Sequence, residues 1–171
     1  MATTTVNRSD PDRPRALDAA IELTHFAYRA MTAKPDLLLA ARGLSRVHHR
    51  ILHFVVRLPR PSVGELLRTL GVTKQALNGP LRDLYAQRLV TFERAQDDAR
   101  VKRLSLTPAG RGLERRLSAL QRAQFAAVFA DAGPDAESAW RSVMARLAGP
   151  EIGRAGYTLA GAGRAAGSAK A

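Results

Sequence analysis

Five polar residues cluster where a capped turn gives way to an apolar-periodic run: Thr73, Lys74 and Gln75 together, Asn78 one helical turn on, and Arg82 a turn beyond that. A helix that starts at this point presents unpaired amides and a positive dipole, so Thr73, Lys74 and Gln75 are placed to meet phosphate and base edges together. Gln and Asn can each make paired hydrogen bonds to adenine in the major groove, whereas Lys and Arg favour guanine or phosphate. Arg82 reads as a phosphate clamp. A second cationic group follows at residues 97–110, DDARVKRLSLTPAG: an acidic turn, a basic strand of alternating character, and a Thr-Pro helix opening. A long cation on a narrow hairpin tip can enter the minor groove, where negative potential concentrates in A·T tracts, and Arg100 is the residue so placed. Asp98, two residues earlier, would repel phosphate if left free; its role is to accept hydrogen bonds from the turn and hold the guanidinium. Arg94, Lys102 and Arg103 read as contacts to the nucleic-acid backbone.

These residues need a rigid frame, and the surrounding pattern supplies one. Ser62 and Glu65 have the spacing of a capping box, opening a short helix with Val63, Leu66, Leu67 and Leu70 on its buried stripe. Gly71 ends that helix and Thr73 caps the next after a tight turn, which is helix-turn-helix spacing. The second member turns Leu77, Leu81, Leu84 and Leu89 inward. Residues 90–95 and 100–107 alternate as strands do, with 96–99 as the turn between them. Thr107 caps a long helix with Pro108 in its first turn and Leu113, Leu117, Leu120, Gln124 and Val128 at helical intervals.

Upstream, Leu17, Ile21, Thr24, Tyr28 and Met31 mark a first amphipathic helix, which Lys34-Pro35 is expected to interrupt before one more turn over 36–41. Ser45 caps a second, with Val47, Ile51, Phe54, Val55 and Leu58 as its stripe and Pro59 and Pro61 as its stop. After a break at Gly133-Pro134, a last helix over 135–148 carries Trp140, Val143, Met144 and Leu147 and is expected to end at Gly149-Pro150. The expected fold is mainly α with a small antiparallel β-hairpin wing. A disordered tail over 1–14 precedes a domain over 15–148, with the winged helix-turn-helix at about 45–107 and dimerisation helices at about 15–41 and 108–148. A flexible tail follows over 149–171; Tyr157 and Leu159 are the residues able to dock it.

Composition agrees with a polyanionic partner. The 171 residues include 27 Lys and Arg against 15 Asp and Glu, a formal charge of +12, which favours nucleic acid over acidic or neutral partners. With no cysteine, disulfides, thiol redox sensing and thiolate metal sites are excluded. No P-loop, GxSxG or HExxH motif supports an enzyme, and no cofactor is expected. His49 and His53 are an i, i+4 pair without a clear carboxylate companion, so no metal site is expected. No run approaches the roughly 18 apolar residues of a membrane span, so the expected location is cytoplasmic, nucleoid-associated when bound to DNA.

The order of helices, hairpin and flanking long helices resembles the MarR family of bacterial transcription regulators. LGVTKQALNGPLRDLYAQRLV is similar to the family's recognition helix and exit, DARVKRLSLTPAG to its wing, and HHRILHFV, residues 48–55, to a subgroup with a His-His-Arg stretch. Asp98 and Arg100 match the wing's acid and second arginine. The chain departs from the family pattern at Ala99, where the wing often carries another Arg, and at Arg88, where the helix exit usually has Gly. At Gly79-Pro80 a proline inside the recognition helix removes a hydrogen bond at a cost of about 3 kcal/mol, and is expected to kink the helix or delay its start.

The resemblance implies a homodimer in which first and last helices interlock, with Leu17, Ile21, Tyr28, Leu120, Phe129, Trp140 and Leu147 available. It also implies sequence-specific binding of double-stranded DNA at a pseudopalindromic operator, commonly as a repressor. Small anionic or aromatic ligands bind such proteins between the dimer helices and the winged domain; the candidate lining here is His25, Tyr28, Arg29, His48 and His49. A competing expectation is a winged-helix protein-interaction module with weak or non-specific DNA binding, which would account for a proline in the recognition helix.

Overall fold

A computed structural model describes residues 12–94 and 102–159, without the side chain of Arg94. Asp98, Arg100 and the outer parts of both expected tails lie outside the described residues. Among the described residues, six helices and one hairpin run in the order α1 (Arg13–Ala40), α2 (Arg46–Arg57), α3 (Val63–Leu70), α4 (Lys74–Ala86), β1 (Val90–Arg94), β2 (Lys102–Leu106), α5 (Pro108–Ala132) and α6 (Pro134–Ala155). The strands pair antiparallel, from Val90 opposite Leu106 to Arg94 opposite Lys102. This is the expected mainly helical fold with a hairpin wing.

The core lies where α2, α3, α4, the hairpin and the first half of α5 converge. Ile51, Leu52, Leu66, Leu77, Leu84, Leu89, Leu104 and Leu117 are fully buried there, joined by Leu39 from the end of α1. Ile51, Leu66, Leu77, Leu84, Leu89 and Leu117 belong to the apolar stripes read from the sequence, whereas Leu39 and Leu52 do not; burial of each such side chain contributes about 1.5–3 kcal/mol. In α2 the buried set also takes in His48 and His49, while Val47 and Phe54 are only partly covered.

Local signals set the boundaries of the helix-turn-helix. The Ser62 hydroxyl accepts the Glu65 amide at 3.2 Å while the Glu65 carboxylate accepts the Ser62 amide at 2.7 Å, closing the capping box of α3. Gly71, at φ +63°, then carries the chain through the left-handed conformation into the turn. Thr73 caps α4 by accepting the Ala76 amide at 3.3 Å, and Thr107 caps α5 by accepting the Gly110 amide at 3.0 Å.

Three prolines behave differently from expectation. Pro35 does not interrupt α1, which is continuous to Ala40; Pro35 is itself fully buried beside Leu39, and that packing offsets one lost backbone bond. Pro80 neither delays nor divides α4. The carbonyl it deprives of a partner belongs to the exposed Ala76, so water can take the missing donor's place. Pro150 likewise lies inside α6, which passes the expected stop and ends at Gly156, φ +61°. The helix packs against α3, and the ring of Tyr157, just beyond its end, meets Phe54 edge-on at 5.4 Å.

The exit of α4 shows how the chain manages without the usual glycine. Arg88 adopts φ +56°, with its amide bonded to the Tyr85 carbonyl and the Leu89 amide to the Leu84 carbonyl, both at 2.9 Å. This is a Schellman cap built on a non-glycine residue, held at a cost of about 1–2 kcal/mol in backbone strain. Thr107 donates its hydroxyl to the Arg88 carbonyl at 2.7 Å and locks the exit against the start of α5.

Candidate nucleic-acid interface

Beside the buried stripe of Leu77, Leu81 and Leu84, α4 carries Lys74, Asn78 and Arg82, all exposed and one turn apart. They border an open groove of about 890 Å³ whose other walls are the start of α3, at Ser62, Val63 and Gly64, and the base of the wing, at Phe92 and Lys102. Tyr85 and Phe92 meet with ring centroids 5.6 Å apart, which fixes the wing against α4. The structure thus brings Lys74, Asn78, Arg82 and Lys102 together around one concavity. Gln75 is exposed on the neighbouring stripe and does not line it; the Thr73 hydroxyl is engaged in the cap. Among the described residues, Lys74, Arg82 and Lys102 have no carboxylate partner, unlike the arginines around them.

Arg103 stands apart from this group. Its guanidinium is 2.9 Å from the Glu65 carboxylate and 3.5 Å from the Arg60 carbonyl, so it braces the wing against α3 and is not free to meet a phosphate backbone. The Ser62 backbone hydrogen bond, the Ser62 hydroxyl and the Arg103 charge hold the Glu65 carboxyl below its ordinary range. Arg60, at φ +50°, pairs with Glu93 on β1. The Leu104 amide donates to the Pro61 carbonyl at 2.8 Å, so the loop before α3 joins the hairpin as a third short partner. None of these pairings is written in a local motif; only the Ser62–Glu65 box hints that Glu65 is held in place.

The expected ligand residues divide. Tyr28 and His49 line a recess of about 450 Å³ between α1, α2 and α5, together with Arg46, Arg50, His53 and Phe54. His25, Arg29 and His48 lie elsewhere. His25 sits edge-on to Phe26 on the exposed part of α1. His48 is a capping residue: its Nδ1 accepts the Ser45 amide at 2.9 Å, so the hydrogen is on Nε2, which faces the Asp83 carboxylate of α4 at 3.4 Å.

Within the recess, the Arg46 guanidinium lies 5.0 Å from the Tyr28 ring centre and forms an ion pair with Asp36 at 2.5 Å. Arg50 donates to the carbonyl of Leu70, the last residue of α3, at 3.0 Å. His49 is buried with no hydrogen-bond partner for its Nε2, and burial lowers its pKa. His53 is pushed down to about 4, by burial first and then by the charge of Arg57. Behind them, Glu114 accepts from Ser118 at 2.6 Å and Arg57 at 2.8 Å. Burial works against its charge, but these bonds outweigh it and leave the carboxyl below its ordinary value. Among the described residues, no group of three His, Asp or Glu side chains could hold a metal ion.

Comparison with known proteins agrees with this geometry. A sequence model of the MarR family matches residues 42–101. The chain is 41% identical over 138 residues to the HTH-type transcriptional regulator PetP of Rhodobacter capsulatus, covering 81% of this chain and 83% of the relative. Among solved structures, Streptococcus pneumoniae FabT in complex with DNA superposes with a TM-score of 0.68 at 16% identity, over 77% of this chain and 94% of that one. The transcriptional repressor CouR bound to a 23-mer DNA duplex gives 0.63 at 20% identity, over 81% of this chain and 96% of that one. With the PetP likeness spanning most of both sequences and the winged helix-turn-helix common to all, the chain belongs to the MarR family of transcription regulators.

Proposed function

We propose that this regulator acts as a homodimeric repressor that reads double-stranded DNA in a sequence-specific way with α4 and the wing. One observation carries the reading: Lys74, Arg82 and Lys102 stand exposed around Asn78 on one groove with no carboxylate partner among the described residues, while other cations of the same surface are tied to carboxylates. Phosphate contacts from the cations fix register, and Asn78 with the adjacent Gln75 reads base edges. Thr73 sets the helix start. Arg94, Asp98 and Arg100 extend the grip along the wing, with Arg100 in the minor groove. Both FabT and CouR were captured on DNA, which supports the same partner here. The alternative of a winged-helix protein-interaction module with weak or non-specific DNA binding drew on a recognition helix spoiled by Pro80, and α4 is unbroken from Lys74 to Ala86.

Dimerisation is supported by apolar surface that the chain leaves uncovered. Ile21 is 70% exposed, Leu147 66% and Trp140 41%, and α6 has no buried residue. A two-fold pairing of α1, α6 and the end of α5 covers these residues and sets two reading heads against a pseudopalindrome. The recess at Tyr28 and His49 would take a small anionic or aromatic ligand, its ring against Tyr28 and Phe54 and its acid toward Arg50, Arg46 being held by Asp36. The proposed location is the cytoplasm; no described helix is long and apolar enough to cross a membrane. Footprinting across the genome tests the reading. Bound sites should share a pseudopalindrome, and uniform coverage without one would refute sequence-specific repression.

A further inference from the structure

The positive charge of this chain is not confined to the α4 groove. Where α4 ends, Gln87 donates its side-chain amide to the Arg42 carbonyl at 3.1 Å, tying the turn after α1 to the recognition helix. Immediately beside this joint, Arg42, Arg115 and Arg116 surround a second open recess of about 520 Å³. Its floor along α5 is made of Ala109, Gly112, Leu113 and Ala119, and no carboxylate lines it. A Cβ added to Gly112 would meet nothing within 4 Å, so the space above the floor is open. All three arginines are exposed, and among the described residues none has an ion-pair partner. The nearest stretch of α5 commits its one acid, Glu114, to the opposite, buried face with Arg57 and Ser118.

Three guanidinia with no ion-pair partner among the described residues repel one another around a shallow recess. What sets the recess apart from the proposed dimer contact is its rim of three guanidinia over an apolar floor. Its complement is a polyanion. Guanidinia bind phosphate oxygens in pairs and retain their charge at any accessible pH, and the net charge of +12 favours nucleic acid over a protein partner.

We infer that Arg42, Arg115 and Arg116 form an auxiliary phosphate-binding surface that holds the duplex beyond the segment read by α4. This rests on the DNA-binding reading of α4. The surface carries no base specificity. It lengthens the contacted stretch of backbone at both ends of the site and adds to the salt dependence of binding.

The test uses the full-length protein and a duplex identified by genomic footprinting. That duplex is prepared in two forms: trimmed to the shortest length that keeps specific binding, and extended by about one helical turn on each side. Anisotropy titrations across a salt series should show the wild type binding the extended form about tenfold more tightly at low salt, with a steeper log–log slope. The double variant R115Q/R116Q should lose that gain, its slope on the extended form falling by about 0.9 for each phosphate no longer neutralised. Binding to the trimmed duplex should stay within about twofold of wild type, as expected of phosphate contacts outside the α4 footprint. R115K/R116K should retain most of the gain, because charge is what matters.

Several results would overturn the inference: no gain from extension in the wild type, a gain that persists in R115Q/R116Q, or equal loss on both lengths. Dissociation of R115Q/R116Q to monomers on a sizing column would also overturn it, since the guanidinia would then serve a second copy of the chain. The wild type's preference for the trimmed duplex over a scrambled one tests the α4 reading separately.

Discussion

Arg103 of β2 and Glu65 of α3 meet at 2.9 Å across the joint between the wing and the helix-turn-helix. Glu65 simultaneously closes the capping box with Ser62, so one carboxylate sets both the start of α3 and the angle of the hairpin. Arg103→Met should therefore weaken DNA binding by loosening the wing while leaving the salt slope unchanged, since no phosphate contact is lost. A slope shallower by about 0.9 for each reading head would instead make Arg103 a phosphate ligand. Both side chains are partly solvated, so the stability loss should stay below about 1 kcal/mol.

The exit of α4 makes two opposite predictions. Arg88→Gly relieves a left-handed backbone but loosens the unfolded chain, and should leave the protein more stable by about 0.5–1 kcal/mol. Gly110→Ala places a Cβ 1.9 Å from the Leu89 carbonyl oxygen, a backbone clash that no rotamer relieves, and should cost about 2–4 kcal/mol. Urea denaturation of both variants checks the pair, and an unaffected Gly110→Ala would show that the α4–α5 junction is less tight than described.

His53 gives a pH dependence with a definite sign. Its pKa is pushed down to about 4 in the fold against about 6.5 in an unfolded chain. Between those values the unfolded state binds more protons, so stability rises with pH across the window and declines as pH falls from about 6.5 toward 4. A full proton of difference corresponds to about 1.4 kcal/mol per pH unit, an upper limit for a partly solvated ring. Comparing pH-dependent melting of wild type and His53→Gln should reveal a flatter curve for the variant; parallel curves would remove His53 from the effect.

On the dimer face, Ile21→Asp puts a charge on a residue whose side chain is largely exposed in one copy. It should leave the fold of the protomer intact but shift sedimentation toward monomer and, with the second reading head lost, weaken operator binding by more than about a hundredfold. A stable Ile21→Asp dimer would place the interface elsewhere.

Where the sequence was readable, the signals were local. Ser62 with Glu65, Thr73 before Lys74, and Thr107 with Pro108 each announce a helix start through groups within a few residues, and the alternation around β1 and β2 announces the hairpin. Prolines were misleading because their effect depends on what surrounds them: Pro35 is buried against the core, whereas Pro80 leaves an exposed carbonyl that water can serve. Pairings distant in sequence carried no local mark. Arg103 and Glu65 are separated by 38 positions and His48 and Asp83 by 35. Residue types at the reading face were legible from spacing, but a basic residue that braces the wing and one free to bind phosphate look alike until the acid beside it is known.

The face of α4 should hold the duplex. This is tested most directly by salt-dependent titration of a footprinted duplex, and of a scrambled control, with wild type, Lys74→Ala/Arg82→Ala and Asn78→Ala. The double variant should bind both sequences more weakly, with a slope shallower by about 0.9 per cation in each head. Asn78→Ala should lose about 1–3 kcal/mol of preference for the specific sequence at nearly unchanged slope. Wild-type affinity, slope and discrimination in both variants would contradict the claim and move the DNA-binding surface away from α4.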